Sequence, residues 1–322
     1  MNRTAVVLIN LGGPATQDDV EPFLANLFGD VLSFPWGNLG ARSLGRLIAR
    51  QRRPHAQALY RKIGGGSPIL AETEAQARAL QAALGEDYRV TCAMRYSAPT
   101  IGEVQARLAA EKAGWARIIA LPLFPQYSFA TTRSCSREWS ANGHATDNAL
   151  FSGSLFIGSY HDHPGYIAAQ RELLSERLAG QPDAEDIHVV FSAHGVPRSF
   201  IRKGDLYQGQ IEETARLTMA GLANPWSIAY QSRVGPVKWL GPDTITHIPA
   251  LAAAGTSRVA VVPIAFVCEH LETLYELDML IRDAALGAGI RDYLRVSAPR
   301  VQPRFIAALA DIVRNAEKYA LA

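Results

Sequence analysis

Cysteine is scarce in this chain: three residues, Cys92, Cys135 and Cys268, stand far apart with no CxxC pair. That spacing argues against a zinc knuckle, a cysteine-ligated iron–sulfur cluster and a disulfide framework, and it suits a reducing compartment. An excess of one charge is also lacking. The 32 Lys and Arg residues offset 30 Asp and Glu, for a net charge of +2, so no chain-wide basic face awaits the phosphates of a nucleic acid. No apolar run approaches the ~18 residues of a membrane span. The stretch Ala5 to Ile9 is too short for the apolar core of a secretory leader. These absences predict a cytoplasmic protein with any basic function kept local.

What is present is length and apolar content. With 322 residues and 48% hydrophobic composition, the chain can build two cores of about 150 residues each. Short apolar runs (Ala5 to Leu11, Tyr88 to Met94, Arg117 to Leu121, His188 to Ala193, Trp226 to Tyr230, Arg258 to Val262) alternate with amphipathic stretches of helical length. That rhythm predicts an α/β fold with buried parallel sheets.

The chain also repeats itself. Val6 to Pro14 aligns without a gap on Val189 to Pro197, bringing Gly12 onto Gly195 and Pro14 onto Pro197. Gly114, Arg117 and Pro122 recur at the same spacing as Gly255, Arg258 and Pro263. Each set marks a helix C-cap, a strand start and the end of that strand. Two similar Rossmann-like lobes are therefore expected: residues 1–150, with an apolar and Arg-rich segment at 23–54, and residues 151–302. The loop Ser140 to Ser154 is the expected crossing point, and residues 303–322 are expected to form a helix packing back on the first lobe.

Ligands of open parallel sheets bind beyond the carboxyl ends of the strands, so differences between the halves at those ends locate the chemistry. After the first strand, Leu11 is replaced in the second half by His194. After Pro122 the first half carries Gln126, Tyr127, Ser128, Thr131 and Thr132, whereas after Pro263 the second carries Glu269, His270, Glu272 and Glu276. A helix beginning at Glu269 would set Glu269, Glu272, Glu276 and Asp283 along one face. His270 would point away from Glu272 on a regular α-helix, and their cooperation requires a π-bulge or a strand-to-helix junction. A lone His at a strand end is often structural and a carboxylate stripe is often a solvated face. Here, however, the acids are interleaved with Leu271, Leu274, Tyr275 and Leu277. An imidazole opposite carboxylates suits divalent-metal binding or proton acceptance. Hydrolysis, proton transfer and metal delivery all remain open from the residues alone.

In family order the chain carries Leu8-Ile9-Asn10-Leu11-Gly12-Gly13-Pro14, Tyr60 to Ile69 with its Gly64-Gly65-Gly66-Ser67 turn, Met94-Arg95-Tyr96, and Leu121 to Ser128. Ser192 to Pro197, Gln231-Ser232-Arg233, Lys238-Trp239-Leu240-Gly241-Pro242 and His270 to Asp278 follow. Together these motifs resemble the ferrochelatase family over most of the chain. The resemblance implies a porphyrin cleft between two Rossmann-like lobes, insertion of Fe²⁺ as a substrate, release of two pyrrole protons, and no organic cofactor. A planar porphyrin hides its nitrogens, so the ring must be bent, a base must take the protons, and oxygen or imidazole ligands must replace water on the ion.

On that resemblance His194 is the proton acceptor or the last metal ligand, Glu272 is opposite or adjacent, and Glu276 lies further along a metal or proton route. His270 and Glu269 are secondary candidates. Leu11, Arg52, Arg53, Ser67, Arg95, Tyr96, Tyr127 and Trp239 fall where the family meets the porphyrin, Arg95 as a polar contact or a structural anchor. The 23–54 segment corresponds to an apolar lip suited to an apolar substrate and to peripheral contact with a membrane. The chain as written ends at Ala322 without the further cysteines of iron–sulfur members, so no [2Fe–2S] cluster is expected. An apolar Leu11, where many coproporphyrin-using members have Tyr, implies protoporphyrin IX. Coproporphyrin III, a cobalt or nickel chelatase of reduced tetrapyrroles, and a bilobal module that binds haem or metal without turnover are the alternatives.

Overall fold

A computed structural model describes residues 3–36, 38–111, 114–145, 149–233 and 237–321, with the side chains of residues 32–39 and 144–150 outside the described set. Leu32, Phe34, Trp36 and Leu39 of the expected lip are among those undescribed side chains.

The chain forms two compact units. One comprises Met1–Leu123, Ala130–Ile157 and Ala316–Ala322; the other comprises Phe124–Phe129 and Gly158–Asn315. In the first, β1 (Arg3–Asn10), β2 (Tyr88–Met94), β3 (Trp115–Pro122) and β4 (Leu155–Phe156) pair in parallel in the order β2-β1-β3-β4. Helices α1 (Val20–Trp36), α2 (Asn38–Lys62) and α3 (Ile69–Leu84) separate β1 from β2. Helix α4 (Ile101–Ala110) follows β2, and α5 (Thr132–Ala145) and α6 (Ala149–Ser152) precede β4.

In the second unit α7 (Pro164–Leu178) leads into β5 (His188–His194). Helices α8 (Arg198–Arg202) and α9 (Tyr207–Met219) precede β6 (Trp226–Gln231), and α10 (Thr244–Ala253) precedes β7 (Arg258–Val262). A π-helix over Glu272–Ile281 runs into α11 (Arg282–Gly287), β8 (Asp292–Arg295) and α12 (Pro303–Arg314). The strands pair in parallel in the order β6-β5-β7-β8, the same order as in the first unit.

The central strands explain the continuous apolar runs. Ala5 to Ile9 in β1 are 0% exposed, as a parallel strand covered on both faces requires. In β5, Val189, Phe191 and Ala193 join a core that includes Leu174 of α7 and Ile211 of α9, whereas Val190 joins Leu277 and Ile281 of the π-helix. Alternation along a strand puts Ser192 and His194 on the Val190 face, so the π-helix side is where the strand turns polar towards its end.

The repeat extends into the loops after β2 and β6. Met94 N–H donates to the Pro99 carbonyl (2.7 Å) and Tyr230 N–H to the Pro242 carbonyl (2.8 Å). A capping residue opens the next helix in both cases: Thr100 in a capping box with Glu103, and Asp243 accepting from Ile245 N–H. The loop between β6 and Pro242 is the longer of the two.

Two expectations are corrected. The segment Ser140 to Ser154 holds the end of α5 and all of α6, and the first unit continues to Ile157. Helix α12, expected on the first lobe, packs instead on α7 within the second unit. Its apolar stripe Phe305, Ile306, Leu309, Ile312 and Val313 is buried, and Asp311 accepts from His163 (3.0 Å). In the first unit lies α13 (Ala316–Tyr319), after which Leu321 N–H donates to the Phe156 carbonyl.

Candidate active site

The second unit brings His194, Glu272 and Glu276 together. His194 ends β5, Gln231 ends the adjacent β6, and Glu272 opens the π-helix lying over that sheet face. His194 Nδ1 is 2.7 Å from Glu272 Oε2. An ionised carboxylate only accepts, so Nδ1 carries the proton and Nε2 keeps an available lone pair. Burial alone would lower the His194 pKa, but the charge and hydrogen bond of Glu272, with help from Glu276, hold it above the ordinary imidazole value. Burial acts against the charge on Glu272, yet His194 and the Ser232 hydroxyl keep its pKa low. Glu276 moves the other way: burial and the neighbouring Glu272 charge raise it.

Two residues quoted in a motif but given no role in the sequence reading complete the arrangement. Gln231, 1% exposed, accepts from Ser192 Oγ (2.8 Å) and donates through Nε2 to Glu276 Oε2 (3.0 Å) and the Glu272 carbonyl (2.9 Å). Ser232 donates to Glu276 (2.5 Å) and lies 3.2 Å from Glu272. Its backbone sits at φ 64°, a left-handed conformation costly for a residue with a Cβ. The signal for both residues was their position at and just past the end of the strand beside β5, where His194 resides. Gly195 lets these strand ends close up: a Cβ there would stand 2.9 Å from the Gln231 carbonyl and 3.5 Å from the Trp239 ring. Trp239 is half-buried, and its indole N–H has no hydrogen-bond partner among the described residues.

The irregular helix that cooperation between His270 and Glu272 required is present. His270 lies just before Leu271 and the π-helix, with its ring against Phe266 (4.6 Å between centroids) and Nδ1 3.3 Å from the Cys268 carbonyl. Burial lowers its pKa, against the pull of Glu272 and Glu269.

Glu269 departs from its expected place. It precedes the helix, is 7% exposed, and accepts from Arg295 (2.7 Å) and from Ala298 N–H (2.9 Å). Burial would raise its pKa, but Arg295 keeps it below the ordinary carboxylate value. Asp283 is exposed on α11, so the expected row of four carboxylates reduces to Glu272 and Glu276. Among the described residues no three His, Cys, Asp or Glu side chains form a metal cage. His194 is hydrogen-bonded to Glu272, and Ser232 bridges Glu272 to Glu276.

The remaining candidates are dispersed. Tyr127, in the second unit, donates its N–H to Gln210 (2.6 Å) and meets the Phe129 ring edge-on. In the first unit Leu11 is half-buried just past β1, and Ser67 accepts weakly from Ile69 N–H while its own N–H donates to the Pro14 carbonyl. Arg52 and Arg53 are exposed on α2, Arg53 pairing with Glu21 (3.0 Å). Arg95 and Tyr96 are bound to Asp30, and Tyr96 is only 2% exposed.

With this geometry in view, a family model described as Ferrochelatase matches residues 3–317. A ferrochelatase of Synechocystis sp. is 42% identical over 98% of this chain and 83% of its own length. One of Citrifermentans bemidjiense is 41% identical over 98% of this chain and 99% of its own. Among solved structures, SirB from Bacillus subtilis, described with Fe³⁺, superposes with a TM-score of 0.61 at 12% identity over 99% of this chain and all of that one. CbiX, described as the terminal enzyme for biosynthesis of sirohaem in denitrifying bacteria, gives 0.54 at 13% identity, covering 98% of this chain and 99% of its own. Both share the chelatase-type α/β fold.

Proposed function

The chain belongs to the ferrochelatase family and is a metal chelatase, and from that premise we propose that it inserts Fe²⁺ into protoporphyrin IX, using His194 as the base. The observation that carries this reading is the His194–Glu272 pair: with Nδ1 engaged by a carboxylate, Nε2 is the atom left to meet a pyrrole N–H. The ring loses two N–H protons as two Fe–N bonds replace them. Nε2 takes the two protons one after the other, releasing the first before it accepts the second, and the imidazolium formed each time is stabilised by Glu272 at 2.7 Å. Glu276, whose pKa burial and Glu272 push upward, is suited to receive each proton and pass it on. The carboxylates also offer oxygen ligands to the ion before it enters the ring.

Trp239 and Tyr127 in the second unit, with Leu11, Ser67, Arg52 and Arg53 in the first, are the proposed porphyrin contacts, and His270 is a second neutral base. The apolar side chain of Leu11 supports protoporphyrin over coproporphyrin. No described helix is long and apolar enough to cross a membrane. Val31, Leu44 and Leu47 are exposed on α1 and α2, and Arg42, Arg46 and Arg50 lie on α2, which supports peripheral contact with an anionic lipid surface.

The test is anaerobic Fe²⁺ insertion by the purified chain, with protoporphyrin IX and coproporphyrin III compared. Protoporphyrin turnover is expected, together with a loss of at least ~100-fold in His194→Ala and retained porphyrin binding. Near-normal turnover in that variant removes His194 from the chemistry, and a strong coproporphyrin preference overturns the substrate assignment.

A further inference from the structure

Helices α1 and α2 form an arm: among the described helices and strands, each makes most of its close backbone approaches to the other, and the two run together along much of their length. The arm is tightly built. A Cβ on Gly45 would stand 2.7 Å from Gly29 N and 2.9 Å from Gly29 Cα, so the helix backbones nearly touch where they cross. Such a pair resists internal bending and moves, if at all, as one piece.

A polar cluster ties α1 to the sheet end. Asp30, on α1, accepts from Tyr96 Oη (2.6 Å) and Ser134 Oγ (2.5 Å) through one oxygen and pairs with Arg95 (3.0 Å) through the other. Arg95 in turn donates to Ser134 (3.0 Å), lies 3.5 Å from Glu138, and stacks 4.8 Å from the centroid of the Tyr96 ring. One turn earlier on α1, Asn26 donates to the Tyr96 carbonyl (3.0 Å). Arg95 and Tyr96 immediately follow β2, and Ser134 and Glu138 lie on α5. The Arg95 side chain is 13% exposed and that of Asp30 29%, so the charges face each other with little water between them and are worth more than a surface pair.

We infer that Asp30 is a positioning residue for the porphyrin, acting through Arg95 and Tyr96 to hold the α1–α2 arm at one angle to the end of the first sheet. The inference rests on the porphyrin reading above. It reassigns Arg95 and Tyr96 from substrate contacts to the fastening of the arm. Porphyrin recognition then depends on a carboxylate that touches no substrate, whereas the chemistry at His194 and Glu272 does not.

Two measurements on the full chain test it. In hydrogen exchange, Asp30→Asn, which keeps size but loses charge, should speed exchange in α1 and α2 about tenfold while β1, β2 and β3 keep their protection. In steady-state insertion the same variant should raise the porphyrin KM about tenfold, with the iron KM and kcat at saturating porphyrin within about twofold of wild type. Asp30→Glu, which retains the charge, should recover part of the porphyrin KM. Unchanged exchange in the arm, loss of protection across the whole sheet, or parallel shifts in both substrates' KM would each overturn the inference. A wild-type chain inactive towards every porphyrin would remove the functional reading and this residue's substrate role together. The exchange contrast would still decide whether Asp30 fastens the arm.

Discussion

Glu272 Oε2 and His194 Nδ1 stand 2.7 Å apart, one at the start of a π-helix and the other at the end of a central strand. The contact sets the tautomer of the imidazole, and it also sets the pH at which that imidazole is neutral.

Removing the carboxylate charge while keeping its shape should therefore move the pH profile. His194 is held above its ordinary pKa by Glu272, and a base works only when unprotonated, so wild-type insertion falls as pH drops through the raised value. In Glu272→Gln the imidazole loses that support and its pKa falls. The acid limb of the kcat/KM profile should shift to lower pH, and the maximum should drop by about 10- to 100-fold because the imidazolium is no longer stabilised. A profile of unchanged shape would show that Glu272 does not act through His194.

Glu269 should behave as a structural acid. Glu269→Gln leaves the Arg295 charge with Asp278 (2.9 Å) as its remaining acidic partner, and a loss on the order of 3 kcal/mol is expected from breaking a buried pair. The Glu269 pKa lies below its ordinary 4.5, so the wild-type stabilisation is present above that pH and is lost as pH falls through the depressed value. The variant lacks this component, and the gap between the two unfolding curves should close in acid. Chemical denaturation at neutral and acidic pH measures this, and kcat per folded molecule should stay near wild type.

Gly195→Ala should cost more than its single methyl group suggests. The new Cβ would meet the Gln231 carbonyl at 2.9 Å, backbone that cannot swing aside. A destabilisation of about 1–3 kcal/mol is expected, with a larger proportional loss of insertion because His194 and Gln231 must part. Thermal unfolding and turnover measured on the same preparation separate the two effects.

Much of this was legible in the sequence. The runs at Tyr88 to Met94 and Arg258 to Val262 became strands β2 and β7 with those bounds; in the central β7, Val259 to Val262 are all buried and write an unbroken apolar signature. The edge strands Leu155–Phe156 and Asp292–Arg295 write almost none, because 2 and 4 residues are too few to show a run. The replacement of Leu11 by His194 pointed at the site because two copies of one plan make a difference visible. Glu269 misled because spacing cannot tell a helix that starts at Glu269 from one that starts after it, and its partner Arg295 is far along the chain. Gln231 and Ser232 escaped because their roles come from strand adjacency and a left-handed turn, neither of which has a periodicity. Helix α12 showed its apolar stripe plainly; which surface would cover that stripe was decided by α7.

The common strand order of the two units has a consequence for how such a protein can change over time. Where two four-stranded sheets share one order, the residues beyond the strand ends of one can differ from those of the other without altering either order. Substitutions beyond the strand ends of one are not paid for in the framework of the other. The longer loop before Pro242, carrying Ser232 and Trp239, is the kind of addition this permits.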